Sequence, residues 1–94
     1  MEPVFNFIGW CNENDHDKIW VNFSINGVYY CAWGRRGRKL SFKKHNKYSV
    51  ESVQRTKESR YKEVDEFLLF SIFPDFSDQV QQDLMMATLS GTVK

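Results

Sequence analysis

Residues 18–45, KIWVNFSINGVYYCAWGRRGRKLSFKKH, decide the fold. Residues 18–25 alternate between the two faces of a predicted strand, and one face is apolar: Ile19, Val21, Phe23 and Ile25. Asn26-Gly27 comes next and predicts a β-hairpin, because a type I′ turn requires positive φ at both central residues. Residues 28–33 are then the antiparallel partner strand.

The hairpin extends into a larger sheet in both directions along the chain. A second turn is predicted at residues 34–37, where two glycines allow positive φ. Residues 38–45 follow as a fourth strand with Leu40 and Phe42 facing inward. Upstream, residues 4–11 alternate loosely and predict a first strand. The four strands together predict an antiparallel meander.

Helical signals begin after the fourth strand. Ser49 is the predicted N-cap of a first helix that ends near residue 61. Asp65 is the predicted cap of a second helix over residues 66–72, which stops before Pro74 because the residue preceding a proline avoids the helical region.

A third helix is predicted over residues 78–89, capped by Asp75 or Ser77 and stopped by Gly91. The predicted fold class is therefore α+β. It consists of an antiparallel four-stranded meander followed by two or three helices packed on one face of the sheet.

Charge is distributed unevenly along the 94 residues, although the net charge is only +1. Residues 1–34 carry one lysine against four acids, which gives −3. Residues 35–62 carry eleven lysines and arginines against two acids, which gives +9. Residues 63–94 carry one lysine against six acids, which gives −5. The central basic block produces a local field that attracts phosphates and acidic partners.

The two cysteines and two histidines do not have the spacing of a metal site. Cys11, Cys31, His16 and His45 show neither C-x2-C nor H-x3-H spacing, so no metal is expected. Both cysteines are predicted to be buried free thiols, which is typical of proteins in a reducing compartment.

Catalytic and membrane signals are missing from the sequence. It contains no nucleophile elbow, phosphate-binding P-loop, dinucleotide fingerprint or zinc-protease motif. Cys31 and His45 would make a thiol-base pair only by assumption. We therefore expect no enzyme activity and no cofactor.

The longest apolar run, residues 67–70, is too short to span a bilayer, so a soluble cytoplasmic protein without a membrane partner is expected.

The basic block begins with an aromatic residue and two glycines, a combination suited to phosphate and sugar recognition. An aromatic ring provides a flat stacking surface, cations bind phosphate, and glycine lets a ligand approach the backbone. In the alternative interpretation, Trp33 belongs to the core and the cations form a solvated face. The candidate nucleic-acid-binding residues are Trp33, Gly34, Arg35, Arg36, Arg38, Lys39, Lys43 and Lys44.

Residues 29–37, YYCAWGRRG, resemble the WGR domain, a small α+β module named for its Trp-Gly-Arg signature. The family occurs in poly(ADP-ribose) polymerases and in bacterial and phage proteins. The order of aromatic strand, turn, basic strand and helix fits over residues 4–64. The resemblance implies one WGR-like domain over residues 1–94, with a helical C-terminal extension over residues 65–90.

In the polymerases the signature tryptophan packs on the sugar-phosphate near a DNA end, and the arginine contacts nucleic acid or neighbouring domains. The resemblance transfers these roles to Trp33 and Arg35. The chain departs from the family at residues 38–40, which lack the usual Gly-Gln element, and at Lys57, where the helix normally carries an aromatic residue.

The sequence thus predicts a non-enzymatic module that binds the phosphate backbone of DNA or RNA through residues 33–44. Its affinity should fall with salt and its sequence specificity should be low. The alternative is a protein-interaction module or small regulator that uses the same hairpin to bind an acidic surface of a nucleic-acid enzyme, as a partner in a nucleic-acid-processing complex.

Overall fold

An antiparallel sheet with helices on both faces forms the framework of the molecule. A computed structural model describes residues 3–85. The strands are β1 (Val4–Glu13), β2 (His16–Ile25), β3 (Val28–Arg35), β4 (Ser41–His45) and β5 (Lys62–Glu63), and the helices are α1 (Lys47–Lys57), α2 (Glu66–Ile72) and α3 (Phe76–Val80). The sheet order is β4-β3-β2-β1-β5. The α+β class and the four-stranded meander are confirmed, and β5 adds a short fifth strand beside β1.

The central hairpin has the predicted turn. Asn26 and Gly27 have φ angles of 52° and 79°, so both central residues adopt the left-handed conformation that a type I′ turn requires. From this turn β2 and β3 pair without interruption as far as Lys18 and Arg35.

The second turn lies further along the chain than predicted. β3 continues to Arg35, so Gly34 belongs to the strand and pairs with Ile19. The Arg36 amide donates to the Asp17 carbonyl at 2.8 Å, which extends the contact between the two strands. The chain then turns at Gly37, whose φ is 81°. The predicted fourth strand loses its first three positions and begins at Ser41.

The helices do not pack on one face, and this part of the prediction is corrected. Trp20 of β2 lies in a cluster with Val50 of α1. Its neighbour Val21 lies in a second cluster with Leu69 of α2 and Phe76 of α3. Alternation places Trp20 and Val21 on opposite faces. Both faces of β2 carry buried side chains, with Trp20 and Asn22 on one and Val21 on the other, so each needs a helical cover; we call them the α1 face and the α2–α3 face.

The start of α1 also corrects a prediction, because the N-cap is Asn46 rather than Ser49. The Asn46 side-chain oxygen accepts from the Ser49 amide at 2.9 Å, and the Ser49 hydroxyl accepts from the Asn46 amide at 3.1 Å. These reciprocal bonds satisfy two backbone donors. The helix ends at Lys57, earlier than predicted, and the chain returns to the sheet as β5.

The second predicted helix is confirmed by α2, and Asp65 caps it by accepting from the Leu68 amide at 3.0 Å. The third begins two residues early, at Phe76, and continues as a π-helical segment, Gln81–Met85. The rest of that prediction, residues 86–89 and the stop at Gly91, lies outside the described residues.

None of the helices within residues 3–85 has the length and apolar character needed to cross a membrane.

An irregularity in β1 changes which side chains share a face. Phe5 pairs with Phe23 and Phe7 pairs with Asn22, which leaves Asn6 as an extra residue. This bulge sends Phe5 and Phe7 to opposite faces, whereas regular alternation would place them together. Phe7 therefore packs under α1, and Phe5 packs against the aromatic rings of α2 and α3.

Candidate nucleic-acid interface

One corner of the α1 face is left uncovered, and Trp33 lies in it. Trp20 and Trp33 are cross-strand partners in the β2–β3 pair. Val50 of α1 packs against Trp20, whose exposed fraction is 2 %, whereas Trp33 remains 38 % exposed. Ser41 flanks Trp33 on the other side as its partner in β4. The indole therefore lies on a strand surface that the helix does not reach.

Trp33 borders a surface pocket of about 210 Å³ between the sheet and α1. Two of the predicted site residues, Trp33 and Lys43, meet there, and Lys57 joins them from the last turn of the helix. Among the residues that the structure describes, no acid lines the pocket. Its lining is Trp20, Cys31, Trp33, Lys43, His45, Val53 and Lys57.

Two further cations lie in the next row of the same face. Lys18 and Arg35 are cross-strand partners two residues beyond Trp20 and Trp33, so alternation places them on the α1 face. Like charges in this arrangement repel each other. Arg35 donates through Nη2 to the Asp15 carbonyl at 2.8 Å, which fixes its guanidinium without neutralising it. We call Lys18, Trp33, Arg35, Lys43 and Lys57 the Trp33 patch.

The ring of Tyr61 lies close to two of the lysines in this patch. The ammonium groups of Lys18 and Lys57 lie 6.0 and 5.8 Å from the centre of its ring. These distances allow a cation–π attraction to each lysine. Burial raises the pKa of the Tyr61 hydroxyl, so the ring is neutral at physiological pH. Tyr61 therefore draws the two lysines together without removing their charge.

The other predicted site residues do not join the patch. Lys44 pairs with Tyr30 on the opposite face, and Gly34 faces Leu40 there. Arg36 lies 3.6 Å from a carboxylate oxygen of Asp17, and Lys39 lies 3.9 Å from one of Asp83. Arg38 is exposed in the segment that follows the turn. The candidate set therefore divides between two faces and a turn, and only Trp33, Arg35 and Lys43 share one surface.

The cysteine in the pocket is not activated. Burial raises the pKa of Cys31 to about 11, although Lys43 opposes this shift. Burial, with a smaller contribution from Lys43, lowers the pKa of His45, whose Nδ1 lies 2.9 Å from the Ser49 hydroxyl. A neutral thiol is a poor nucleophile. Cys31 and His45 therefore share a pocket without forming a thiolate pair, and Cys11 and Cys31 are buried free thiols as predicted.

Sequence reasoning missed three contributors to the patch. Lys18 was visible in principle, because it lies two residues before Trp20 and therefore shares its face. Lys57 and Tyr61 reach the patch only through the packing of α1 and the chain that follows it. Their positions depend on tertiary contacts that no local pattern encodes.

Comparison with protein-family models, curated proteins and solved structures finds no match to this chain. Among residues 3–85, no three His, Cys, Asp or Glu side chains come together as a group suited to hold a metal ion.

Proposed function

We propose that this protein is a WGR-like, non-enzymatic module that binds the sugar-phosphate backbone of nucleic acid through the Trp33 patch. One observation carries the proposal: an indole left 38 % exposed borders a pocket whose lining, within residues 3–85, includes two lysine side chains and no acid. A base or sugar stacks on such a ring, and neighbouring cations bind the adjoining phosphates.

The geometry favours a strand end or a single strand as the ligand. Stacking of a base on Trp33 needs an exposed base face, and the interior of a duplex offers none because its bases are stacked on each other. Within residues 3–85, the helix on this surface is not free to read a groove, because α1 packs on the sheet with Val50 fully buried. Binding through the patch should therefore depend little on base sequence.

Two adjacent lysines of β4 provide the test. Lys43 and Lys44 are both exposed, but Lys43 lies beside the Trp33 pocket and Lys44 lies on the opposite face. Fluorescence anisotropy would measure binding of labelled single-stranded DNA, RNA and blunt duplex at low salt. We expect Lys43→Glu to weaken binding about tenfold and Lys44→Glu to change it less than about twofold, because phosphate contacts are local.

Trp33→Ala completes the test by removing the stacking surface without changing the charge. Loss of one stacked base typically weakens binding by about tenfold or more. Equal effects of the two lysine variants on affinity would show that the nucleic acid binds outside the Trp33 patch. Undetectable binding of all three probes at low salt would reject the nucleic-acid proposal, and saturable binding of polyglutamate instead would favour an acidic protein surface as the ligand.

A further inference from the structure

The outer edge of β1 is open over residues 4–7. β5 pairs only with Gly9 and Trp10, and the Val64 amide donates to the Ile8 carbonyl at 2.8 Å. Beyond this bond the chain leaves the sheet and enters α2. Within residues 3–85, no strand lies beside residues 4–7 on this side. An unpaired strand edge is a template for the addition of another strand.

A groove of about 440 Å³ runs along this edge. Its lining consists of residues 5–8 of β1 and residues 63–67, which lead into the first turn of α2. Phe67, the second residue of that helix, is 86 % exposed. The edge is therefore bordered by an apolar ring that has not been buried within the described part of the chain.

The rim of the groove is acidic. Glu63, Asp65 and Glu66 all line it. The Asp65 side chain already accepts the amide of Leu68 at the start of α2. Glu63 and Glu66 are exposed, and neither forms an ion pair among the described residues. A strand seated here would therefore meet uncompensated negative charge.

We propose that this groove binds an extended segment of a partner protein in which basic and apolar residues alternate, and that the segment adds to the sheet beside β1. Successive side chains of an added strand point to opposite sides of the sheet, so the residues that meet the acids alternate with those that cover Phe67. Glu63 pairs with Gly9 and so shares the α1 face, whereas Phe67 belongs to α2 on the opposite side. Basic side chains would meet Glu63, and apolar side chains would cover Phe67.

A second copy of this chain is a poorer match for the groove. Pairing of two β1 edges would bring the acidic rim to the interface twice, and like charges at an interface oppose association. The groove is also separate from the Trp33 patch, since none of its lining residues belongs to the patch.

The first experiment is a titration of the isotopically labelled protein with a capped peptide of alternating lysine and valine, followed by NMR. We expect amide shifts concentrated at residues 4–8 and 63–67. Alternating glutamate and valine should bind at least about tenfold more weakly because of the acidic rim. N-methylation of the lysine-valine peptide along one edge removes hydrogen-bond donors and should abolish strand addition through that edge.

Variants test the rim without touching the core. Glu63→Lys with Glu66→Lys should weaken peptide binding about tenfold. Glu13→Lys with Asp78→Lys is the matched control, because it reverses the same number of charges at two exposed acids that lie outside the groove. It should change binding less than about twofold.

Three results would overturn the proposal. The first is the absence of amide shifts at millimolar concentrations of the lysine-valine peptide. The second is an equal affinity for the glutamate-valine and lysine-valine peptides. The third is the same set of shifts appearing without peptide as the protein concentration rises, with dimerisation seen by sedimentation. That result would assign the edge to a second copy of the chain.

Discussion

Trp20 and Trp33 show how strongly the environment of a residue depends on distant contacts. The two tryptophans are cross-strand partners on one face of the sheet, yet one is buried and the other is substantially exposed. The alternation of the strands predicts the face of the sheet on which each ring lies, but it does not predict whether another element covers that ring. The position of α1 decides which ring is covered. The sequence therefore predicted a stacking surface at Trp33 but left open whether the ring belonged to the core.

Gly9 carries a residue-scale prediction, because no side chain fits there. A Cβ at this position would lie 2.7 Å from the Phe7 ring and 2.7 Å from the Cβ of Tyr61. Both neighbours are buried, so relief requires movement of packed groups. We expect Gly9→Ala to lower the free energy of unfolding by about 1–3 kcal/mol, measured by urea denaturation.

Gly34→Ala is the comparison for this prediction. Its Cβ would lie 3.1 Å from a terminal methyl group of Leu40, so this buried side chain needs to move by only a few tenths of an ångström. The lower entropy of the unfolded chain also favours alanine there by about 0.4–1 kcal/mol, so the net change should be small. Equal losses in the two variants would contradict the close packing assigned to Gly9.

At the scale of elements, the sequence correctly predicted the features that depend only on interactions between residues close together in the chain. The alternation of β2, the positive φ pair at the hairpin and the Asp65 cap of α2 are each contained in a few neighbouring residues, and all three are confirmed. The N-cap of α1 was misassigned by three residues, because Asn46 and Ser49 are both good caps. In the structure they bond reciprocally, and only Asn46 lies outside the helix.

This cap gives the element-scale prediction. Asn46→Ala removes the oxygen that accepts the Ser49 amide and should lower the free energy of unfolding by about 1 kcal/mol. Chemical denaturation would measure the loss, and circular dichroism would show whether α1 frays at its start. Asn12→Ala, an exposed asparagine at the end of β1, should remain within about 0.5 kcal/mol of wild type. If Asn46→Ala matches it, the cap is not a stabilising contact.

At the scale of the whole molecule, the fold redistributes the basic block that the sequence displays as one run. Arg36 and Lys39 lie beside acids from β2 and the segment after α3, and Lys44 points away from the patch. Lys18, from the acidic first third of the chain, joins the patch instead. Proximity in sequence therefore identified the basic surface but only part of its membership, because strand alternation and long-range ion pairs separate neighbouring charges.

The salt dependence of binding distinguishes a compact patch from the whole basic block. Each phosphate contact with a single strand contributes a slope of about −0.7 to the plot of log affinity against log salt concentration. The four cations of the Trp33 patch predict a slope of about −3 for single-stranded DNA. Engagement of all eleven cations of residues 35–62 would give about −8. Because the net charge is only +1, neither slope follows from the total charge.

Neutral substitutions make this prediction specific to the patch. Lys43→Gln should reduce the steepness by about 0.7, and Lys44→Gln should leave it unchanged, because only the first lysine lies beside Trp33. Anisotropy titrations over a series of salt concentrations would measure both slopes. A wild-type slope near −8 would show that the ligand wraps both faces, and a slope near zero would mean that phosphate contacts do not drive binding. Equal reductions in the two variants would show that the nucleic acid does not distinguish the faces that β4 separates.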